Sequence, residues 1–205
     1  MTVSIKEIFE KVGLEPSKPV NWGEPFSADY SGVYVISLTD DINKDSCKYP
    51  FEIDNEVFNN WINKATNLTI DGRKVTRKEQ VQDYLKQFWK PNEHILYIGQ
   101  TSSKSKSIQK RVGEYYSHKV GNSGSHSGGY WLKLLSNLND CNVYFAKCKN
   151  PKNTEFKMIM YFAEMYSGKS FYEMDNIALN LPFANLKVDV EKEHNIKKST
   201  NKNKK

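Results

Sequence analysis

The chain has 205 residues, of which 38% are hydrophobic and 26% are charged, so one globular domain can bury a sizeable core. Its net charge is +6, but six lysines and one glutamate in the last fourteen residues leave only +1 for residues 1–191, so the total charge is a weak sign of nucleic-acid binding. No apolar run is long enough to span a membrane, and residues 1–14 lack the cationic leader and apolar stretch of a secretory signal.

The first predicted elements are a short helix and a strand. Ser4 and Glu7 have the spacing of a capping box, and apolar residues follow at helical spacing until Gly13 ends the helix. A connector rich in proline and glycine comes next. Residues 32–38 are then a compact run of β-branched and aromatic residues, which is typical of a strand.

Two helices are predicted between this strand and the next. The first covers residues 55–65, with Asp54 as its N-cap. The second begins at a capping-box pair, Thr76 and Glu79, and ends before Pro91. Its apolar residues repeat at the spacing of an amphipathic helix, so one face is expected to pack against the rest of the protein.

The remaining residues alternate between strands, helices and loops. In chain order we predict a strand at 95–98, a helix at about 108–118, a flexible glycine- and serine-rich segment at 121–129, a helix at 130–138, a strand at 142–146, a helix at 155–166 and a helical piece at 170–179. The tail at 192–205 is basic and has too little apolar content to fold.

The three cysteines give no sign of a disulfide framework or a structural zinc site. Cys47, Cys141 and Cys148 are odd in number and contain no CxxC pair. That usage suits a reducing compartment, so we expect a cytoplasmic protein.

Two strand tripeptides are the most informative motifs. They are Gly32-Val33-Tyr34 and Tyr97-Ile98-Gly99, and each tripeptide alone is too common to carry meaning. The second is followed by Arg111, near the start of a predicted helix, with Tyr115 four residues further on.

Near the C-terminus, Glu173 is followed at +4, +9 and +12 by an aliphatic residue, a proline and an asparagine. These are Ile177, Pro182 and Asn185. Glu164 on the preceding helix is an alternative carboxylate, but it has no such followers. The ordered set of motifs resembles the GIY-YIG nuclease superfamily over residues 20–187, with a longer connection than usual between the two tyrosine strands.

The resemblance implies a mixed α/β (α+β) domain at residues 1–191 with a small, mainly antiparallel three-stranded sheet flanked by helices. A helical insertion at about 39–92 then separates the first two strands. It also implies Mg²⁺-dependent hydrolysis of phosphodiester bonds in double-stranded DNA, with Mn²⁺ as the alternative ion. Glu173 is the expected metal ligand, because Mg²⁺ beside phosphate keeps most of its waters and needs few carboxylates. Arg111 is expected to clamp the scissile phosphate through its guanidinium fork.

The remaining catalytic roles also follow from the resemblance. Tyr34 is expected to activate the attacking water, and Tyr97 to orient water or substrate. Tyr115 takes the place near the leaving group, and Asn185 orients neighbouring groups through its amide. Taken singly, Tyr34 and Tyr97 would be assigned as packing residues, so the interpretation depends on the joint order of the set.

Two basic stretches, 71–90 and 100–120, carry local charges of +3 and +4. The residues expected to bind DNA are Arg73, Lys74, Arg77, Lys78, Lys104, Lys106, Lys110 and Lys119. The second helix of the insertion could read bases or could only buttress the fold, and both interpretations remain open. The lysine tail is expected to add salt-sensitive, nonspecific attraction to DNA.

Among GIY-YIG enzymes, a compact domain whose insertions double as recognition elements is most similar to a sequence-specific type II restriction endonuclease. Cutting both strands would require a homodimer or two sequential nicks. Two alternatives remain. One is a noncatalytic DNA-binding or regulatory protein on a nuclease scaffold. The other is a loosely specific structure-selective or mobile-element nuclease.

Overall fold

The computed structural model describes residues 2–46, 48–64, 68–70, 72–102, 106–120, 129–185, 187–188, 190–191 and 196–198. The strands are β1 (Val20–Asn21), β2 (Gly32–Ser37), β3 (Leu68–Ile70), β4 (Arg73–Lys74), β5 (Ile95–Thr101), β6 (Asn142–Lys147), β7 (Lys187–Val188), β8 (Val190–Glu191) and β9 (Ile196–Lys198). The α-helices are α1 (Ile5–Glu10), α2 (Asn55–Lys64), α3 (Lys78–Lys86), α4 (Ile108–Ser117), α5 (Gly129–Lys133) and α6 (Pro151–Ser167). In these described ranges, no helix has the length and apolar character needed to cross a bilayer.

The central sheet has four antiparallel strands in the order β1-β6-β2-β5. This confirms the mixed α/β class and the mainly antiparallel sheet, but the sequence predicted three strands. The fourth arises in the connector, where Val20 pairs with Val143 at the edge of β6. The connector also donates a hydrogen bond to β6 from Ser17 N, at 2.9 Å from Phe145 O.

Strand alternation divides the core into two layers, one on each face of the central sheet. Val33 and Val35 lie in the layer formed with α1 and α6. Tyr34 and Ile36 lie in the layer formed with α4 and the segment between β2 and β5. Consecutive residues of β2 therefore enter different environments, although all six of its residues are buried.

The segment between β2 and β5 contains both helices predicted there. The Asp54 carboxylate accepts a hydrogen bond from Val57 N at 2.9 Å, which confirms it as the N-terminal cap of α2. The predicted pairing of Thr76 with Glu79 is wrong. The Gln80 side chain instead accepts hydrogen bonds from the backbone N–H groups of Thr76 and Arg77, so α3 begins at residue 78.

A β-hairpin between these helices was not predicted. Ile70 of β3 pairs with Arg73 of β4 across a two-residue turn whose second residue, Gly72, has φ of 76°. An Asp-Gly pair is a strong signal for this turn because its backbone needs positive φ. Arg73 and Lys74 therefore lie on a strand and not in the first turn of α3.

Several C-terminal elements are shorter than expected. The predicted helix at 130–138 is α5 followed by a 3₁₀ turn, Leu138–Asp140, and the helical piece at 170–179 is two 3₁₀ turns, Phe171–Glu173 and Ile177–Asn180. Within the predicted unstructured tail, residues 196–198 form β9, which pairs with β3. Residues 121–128 of the predicted flexible segment lie outside the described residues.

Candidate active site

The two tyrosine strands lie side by side, and three aromatic rings meet above them. Tyr34 is opposite Gly99 in the antiparallel pair of β2 and β5. The ring centroid of Tyr34 lies 5.9 Å from that of Tyr97 and 6.4 Å from that of Tyr115. Tyr97 and Tyr115 are separated by 5.7 Å. The three predicted tyrosines therefore form one cluster.

Both motif glycines are needed for close approach. A Cβ atom at Gly99 would lie 2.5 Å from Tyr97 Cε1 and 2.7 Å from Tyr34 Cζ, so a side chain there would displace both rings. A Cβ atom at Gly32 would collide with the carbonyl oxygen of Ala146 on the neighbouring strand. Gly99 thus gives the tyrosines their space, and Gly32 allows β2 and β6 to pair.

Helix α4 brings Arg111 to the tyrosines. Ser107 caps the helix by accepting a hydrogen bond from Lys110 N, and the four-residue spacing puts Arg111 and Tyr115 on the same helical face. The Arg111 side chain is 26% exposed, and its Nη1 donates to Glu114 Oε2 at 3.4 Å. The guanidinium thus lies between the aromatic cluster and solvent.

Burial keeps the tyrosine hydroxyls neutral. It raises the pKa of Tyr34 well above the usual 10, with the Tyr97 hydroxyl acting in the same direction and Arg111 in the opposite one. The buried Tyr34 hydroxyl has no hydrogen bond of normal geometry in the described part of the chain, although Tyr97 and Arg111 are close enough to affect its pKa. Burial also raises the pKa of Tyr97, against a hydrogen bond from Tyr115 that lowers it. Tyr34 therefore stays protonated and can donate a hydrogen bond.

The carboxylate that interacts with this cluster is Glu155. Burial raises its pKa from 4.5 to about 7, while Arg111 and Lys152 act to lower it. Glu155 in turn raises the pKa of both Tyr34 and Tyr97. Sequence reasoning missed this residue, although a signal was present. Glu155 continues the apolar stripe of α6 that contains Met158, Ile159 and Phe162, and a glutamate in a buried stripe needs an explanation.

The structure does not bring Glu173 into the cluster. Glu173 is exposed in the 3₁₀ turn Phe171–Glu173, and Glu155 is the carboxylate with the largest effect on the Tyr34 and Tyr97 hydroxyls. α6 ends at Gly168, which has φ of 70°, and Phe171 then packs into the same layer as Met158, Ile159 and Phe162. Glu164 supports this turn by accepting a hydrogen bond from Phe171 N at 3.0 Å.

Asn185 holds the outer edge of β5. Its Oδ1 accepts a hydrogen bond from Ile98 N at 2.9 Å, and its Nδ2 donates to Ile98 O at 2.7 Å. The adjacent Ala184 N donates to Leu96 O at 2.8 Å. Ala184 and the Asn185 amide therefore act together as a strand partner on either side of Tyr97, which makes Asn185 a positioning residue.

The predicted DNA-binding residues are mostly at the surface. Those with exposed side chains are Arg73, Lys74, Arg77, Lys110 and Lys119. Lys78 is half-buried, and Lys106 forms an ion pair of 2.7 Å with Glu114. Lys104 lies outside the described residues.

The side chains around the tyrosines offer a hard cation only a few protein ligands. Among the described residues, no three His, Cys, Asp or Glu side chains are grouped to hold a metal. A single half-buried carboxylate, Glu155, whose charge raises the pKa of Tyr34, fits Mg²⁺, which retains several waters next to phosphate.

Comparison of the chain with protein-family models, with curated proteins and with solved structures finds no match.

Proposed function

We propose that this chain is a DNA endonuclease of the GIY-YIG type that hydrolyses phosphodiester bonds with a divalent metal ion. One observation carries the proposal. Side chains from four separate elements affect one another's pKa, namely Tyr34 of β2, Tyr97 of β5, Arg111 of α4 and Glu155 of α6. A group of packing residues has no need of a half-buried arginine, a half-buried carboxylate and a buried hydroxyl without a hydrogen bond of normal geometry.

Each residue has a chemical role in this proposal. The Arg111 guanidinium binds the phosphate oxygens and stabilises the negative charge that grows on them as water attacks phosphorus. The Tyr34 hydroxyl donates a hydrogen bond to the attacking water or to a phosphate oxygen, since burial keeps it protonated. Tyr97 and Tyr115 fix the position of that hydroxyl by packing against its ring.

Glu155 would hold the metal ion, with Mg²⁺ as the expected ion and Mn²⁺ as the alternative. When bound, such an ion lowers the pKa of a coordinated water and offsets charge at phosphorus. The carboxylate is suited to this role because burial makes its own ionisation costly, so a nearby cation would favour the charged form.

The test compares two matched variants with the wild-type protein. Wild type, Glu155→Gln and Glu173→Gln are each incubated with mixed plasmid and phage DNA in Mg²⁺ or in EDTA. We expect Mg²⁺-dependent cleavage by the wild type and by Glu173→Gln, and none by Glu155→Gln. Loss of cleavage in Glu173→Gln alone would return the metal role to the residue that the sequence motif indicates.

The same experiment separates the finer alternatives. Discrete fragments would support a sequence-specific restriction enzyme, acting as a homodimer or by sequential nicking, whereas a smear would support a loosely specific nuclease. A noncatalytic DNA-binding protein is the second candidate, and the exposed position of Glu173 away from the tyrosines favours it. Binding of duplex DNA with no cleavage by the wild type would establish that candidate.

A further inference from the structure

A second, smaller sheet joins the chain's C-terminal tail to the segment between β2 and β5. Its strand order is β4-β3-β9, and both pairings are antiparallel. Thr69 of β3 is opposite Lys74 on one side and Lys197 on the other. The tail residues in β9 therefore have a fixed register against a hairpin more than a hundred residues earlier in the chain.

This small sheet is anchored to the core by its central strand. Leu68 is 2% exposed, and Val75, which follows β4, is 4% exposed. The hairpin continues past β4 through a hydrogen bond of 2.8 Å from Val75 N to Leu68 O. Because side chains alternate along a strand, Leu68 and Ile70 are in rows on the core side of this sheet, and Thr69 is in a row on its other side.

The strands of this sheet are strongly cationic. Four of their eight residues are lysine or arginine and none is acidic. These residues are Arg73, Lys74, Lys197 and Lys198. Lys74 and Lys197 share the row of Thr69, whereas Arg73 and Lys198 are opposite Ile70 and Leu68. Lys74 and Lys197 are two strands apart, which separates their backbones by roughly 10 Å, about the screening length at 0.1 M salt. Cationic residues at these two register positions together attract a polyanion.

We propose that the sheet β4-β3-β9 is a docking surface for the phosphate backbone of duplex DNA. The tail is then part of a built surface and not a free, nonspecific tether. The identity of the polyanion rests on the proposed nuclease function. Charge complementarity selects it, since duplex DNA carries one negative charge for about every 1.7 Å of its axis and binds through cations that replace its counterions.

The test measures duplex binding in EDTA over a range of salt concentrations, so that cleavage does not contribute. Two variants remove the same charge from the same tail, Lys197→Gln/Lys198→Gln inside β9 and Lys204→Gln/Lys205→Gln beyond it. We expect the first pair to lower the slope of log affinity against log salt by about 0.9 for each phosphate that the variant no longer neutralises, and the second pair to change it little. Lys74→Gln is expected to behave like the first pair, which would tie the tail to the hairpin.

Equal effects of the two lysine pairs would overturn the proposal, because a free tether responds only to its total charge. Tighter binding to vesicles of anionic lipid than to DNA would overturn it as well. The outcome is independent of catalysis. If β9 contributes as expected but the wild type cuts no DNA, the docking surface stands and the nuclease proposal fails. If the wild type cuts DNA while both lysine-pair variants bind DNA like the wild type, the nuclease proposal stands and the docking surface fails.

Discussion

The two faces of the central sheet use side chains from the same strands for different purposes. Val33 and Val35 face an apolar layer that α1 and α6 complete. On the other face, the ring of Tyr34 lies with two further tyrosines beside Arg111. Neighbouring residues of β2 thus face an apolar core on one side of the sheet and a cluster of ionisable groups on the other.

The difference between the two faces shows which of them lowers the stability of the fold. The apolar face gains free energy from every methylene it buries, whereas the tyrosine face holds a buried hydroxyl without a hydrogen bond of normal geometry beside a half-buried arginine. Unsatisfied polar groups of this kind persist where function requires them. We therefore expect substitutions on the apolar face to change stability, and substitutions on the tyrosine face to change chemistry.

The largest effect is expected from Phe162→Ala on the apolar face. Phe162 is fully buried in α6, so its truncation leaves a cavity and should lower the free energy of unfolding by about 3–5 kcal/mol. Urea denaturation measures this. Lys157→Ala, at an exposed position of the same helix, is the control and should change stability by less than about 0.5 kcal/mol. Equal effects of the two variants would contradict the division between the faces.

On the tyrosine face, Arg111→Lys should lower the rate of DNA cleavage by about 10²–10³-fold. Lysine keeps the charge but loses the planar fork that matches phosphate oxygens. The control is Lys110→Arg, the reverse exchange at the exposed neighbouring position. Thermal unfolding should be unchanged in both variants. Full activity in Arg111→Lys would show that Arg111 does not bind the scissile phosphate.

A buried histidine at the far end of the β2–β5 pair predicts a pH dependence of stability. His94 Nε2 donates to Lys44 O at 2.8 Å, and its Nδ1 accepts from the Ser37 hydroxyl at 2.9 Å. Burial lowers the pKa of His94 from 6.5 to about 4. The unfolded chain therefore binds a proton first, and the contribution of His94 to stability should fall by about 3 kcal/mol as the pH drops from 6.5 to 4.

Urea denaturation of His94→Gln over the same pH range isolates this contribution. We expect the variant to lose the part of the pH slope between 6.5 and 4, whatever its overall stability. His118→Gln, at the half-buried end of α4, should remove a smaller part of that slope, because burial lowers the pKa of His118 less than that of His94. A wild-type slope in His94→Gln would mean that its imidazole is not held neutral by the fold.

A pair of glycine substitutions tests the space under the tyrosine rings. Gly99→Ala puts a Cβ atom within 2.7 Å of both Tyr97 and Tyr34, which should cost about 1–3 kcal/mol of stability and abolish cleavage. Gly113→Ala on α4 meets no atom within 4 Å and should stabilise the protein by about 0.5–1 kcal/mol with cleavage retained. Normal cleavage in Gly99→Ala would show that DNA cleavage does not depend on the positions of the Tyr34 and Tyr97 rings.

The smallest expected change in stability distinguishes the two faces most sharply. Tyr34→Phe removes a buried hydroxyl with no hydrogen bond of normal geometry and should raise the free energy of unfolding by about 1 kcal/mol. The same substitution should abolish DNA cleavage, since the hydroxyl is the proposed donor. A destabilised but active variant would show that the hydroxyl has a structural partner and no role in catalysis.

Local signals in the sequence predicted much of this molecule. The capping box of Ser4 and Glu7 is present at the start of α1, with Ser4 N donating to Glu7 Oε2 at 2.8 Å. The β-branched run gave the position of β2, and Asp54 caps α2 as expected. The hairpin of β3 and β4, which was not predicted, has an equally local signal in Asp71-Gly72.

The choice of carboxylate could not be made in the same way. Glu173 has the linear offsets of the family motif, whereas Glu155 has only its place in an apolar stripe. Offsets along the chain do not fix a distance in space once a turn intervenes. Here the end of α6 at Gly168 and the burial of Phe171 direct Glu173 to the surface.

The sequence by itself therefore determined the elements whose signals lie within a few residues, namely caps, alternation and apolar stripes, together with the order of the motif residues. Only the tertiary structure decided that Tyr34, Arg111 and Glu155 come close enough to affect one another's pKa, that Asn185 hydrogen-bonds to Ile98, and that the tail pairs with β3. The physical reason is that these contacts join residues far apart in the chain. Their formation depends on how whole elements pack, and no local pattern of residues encodes it.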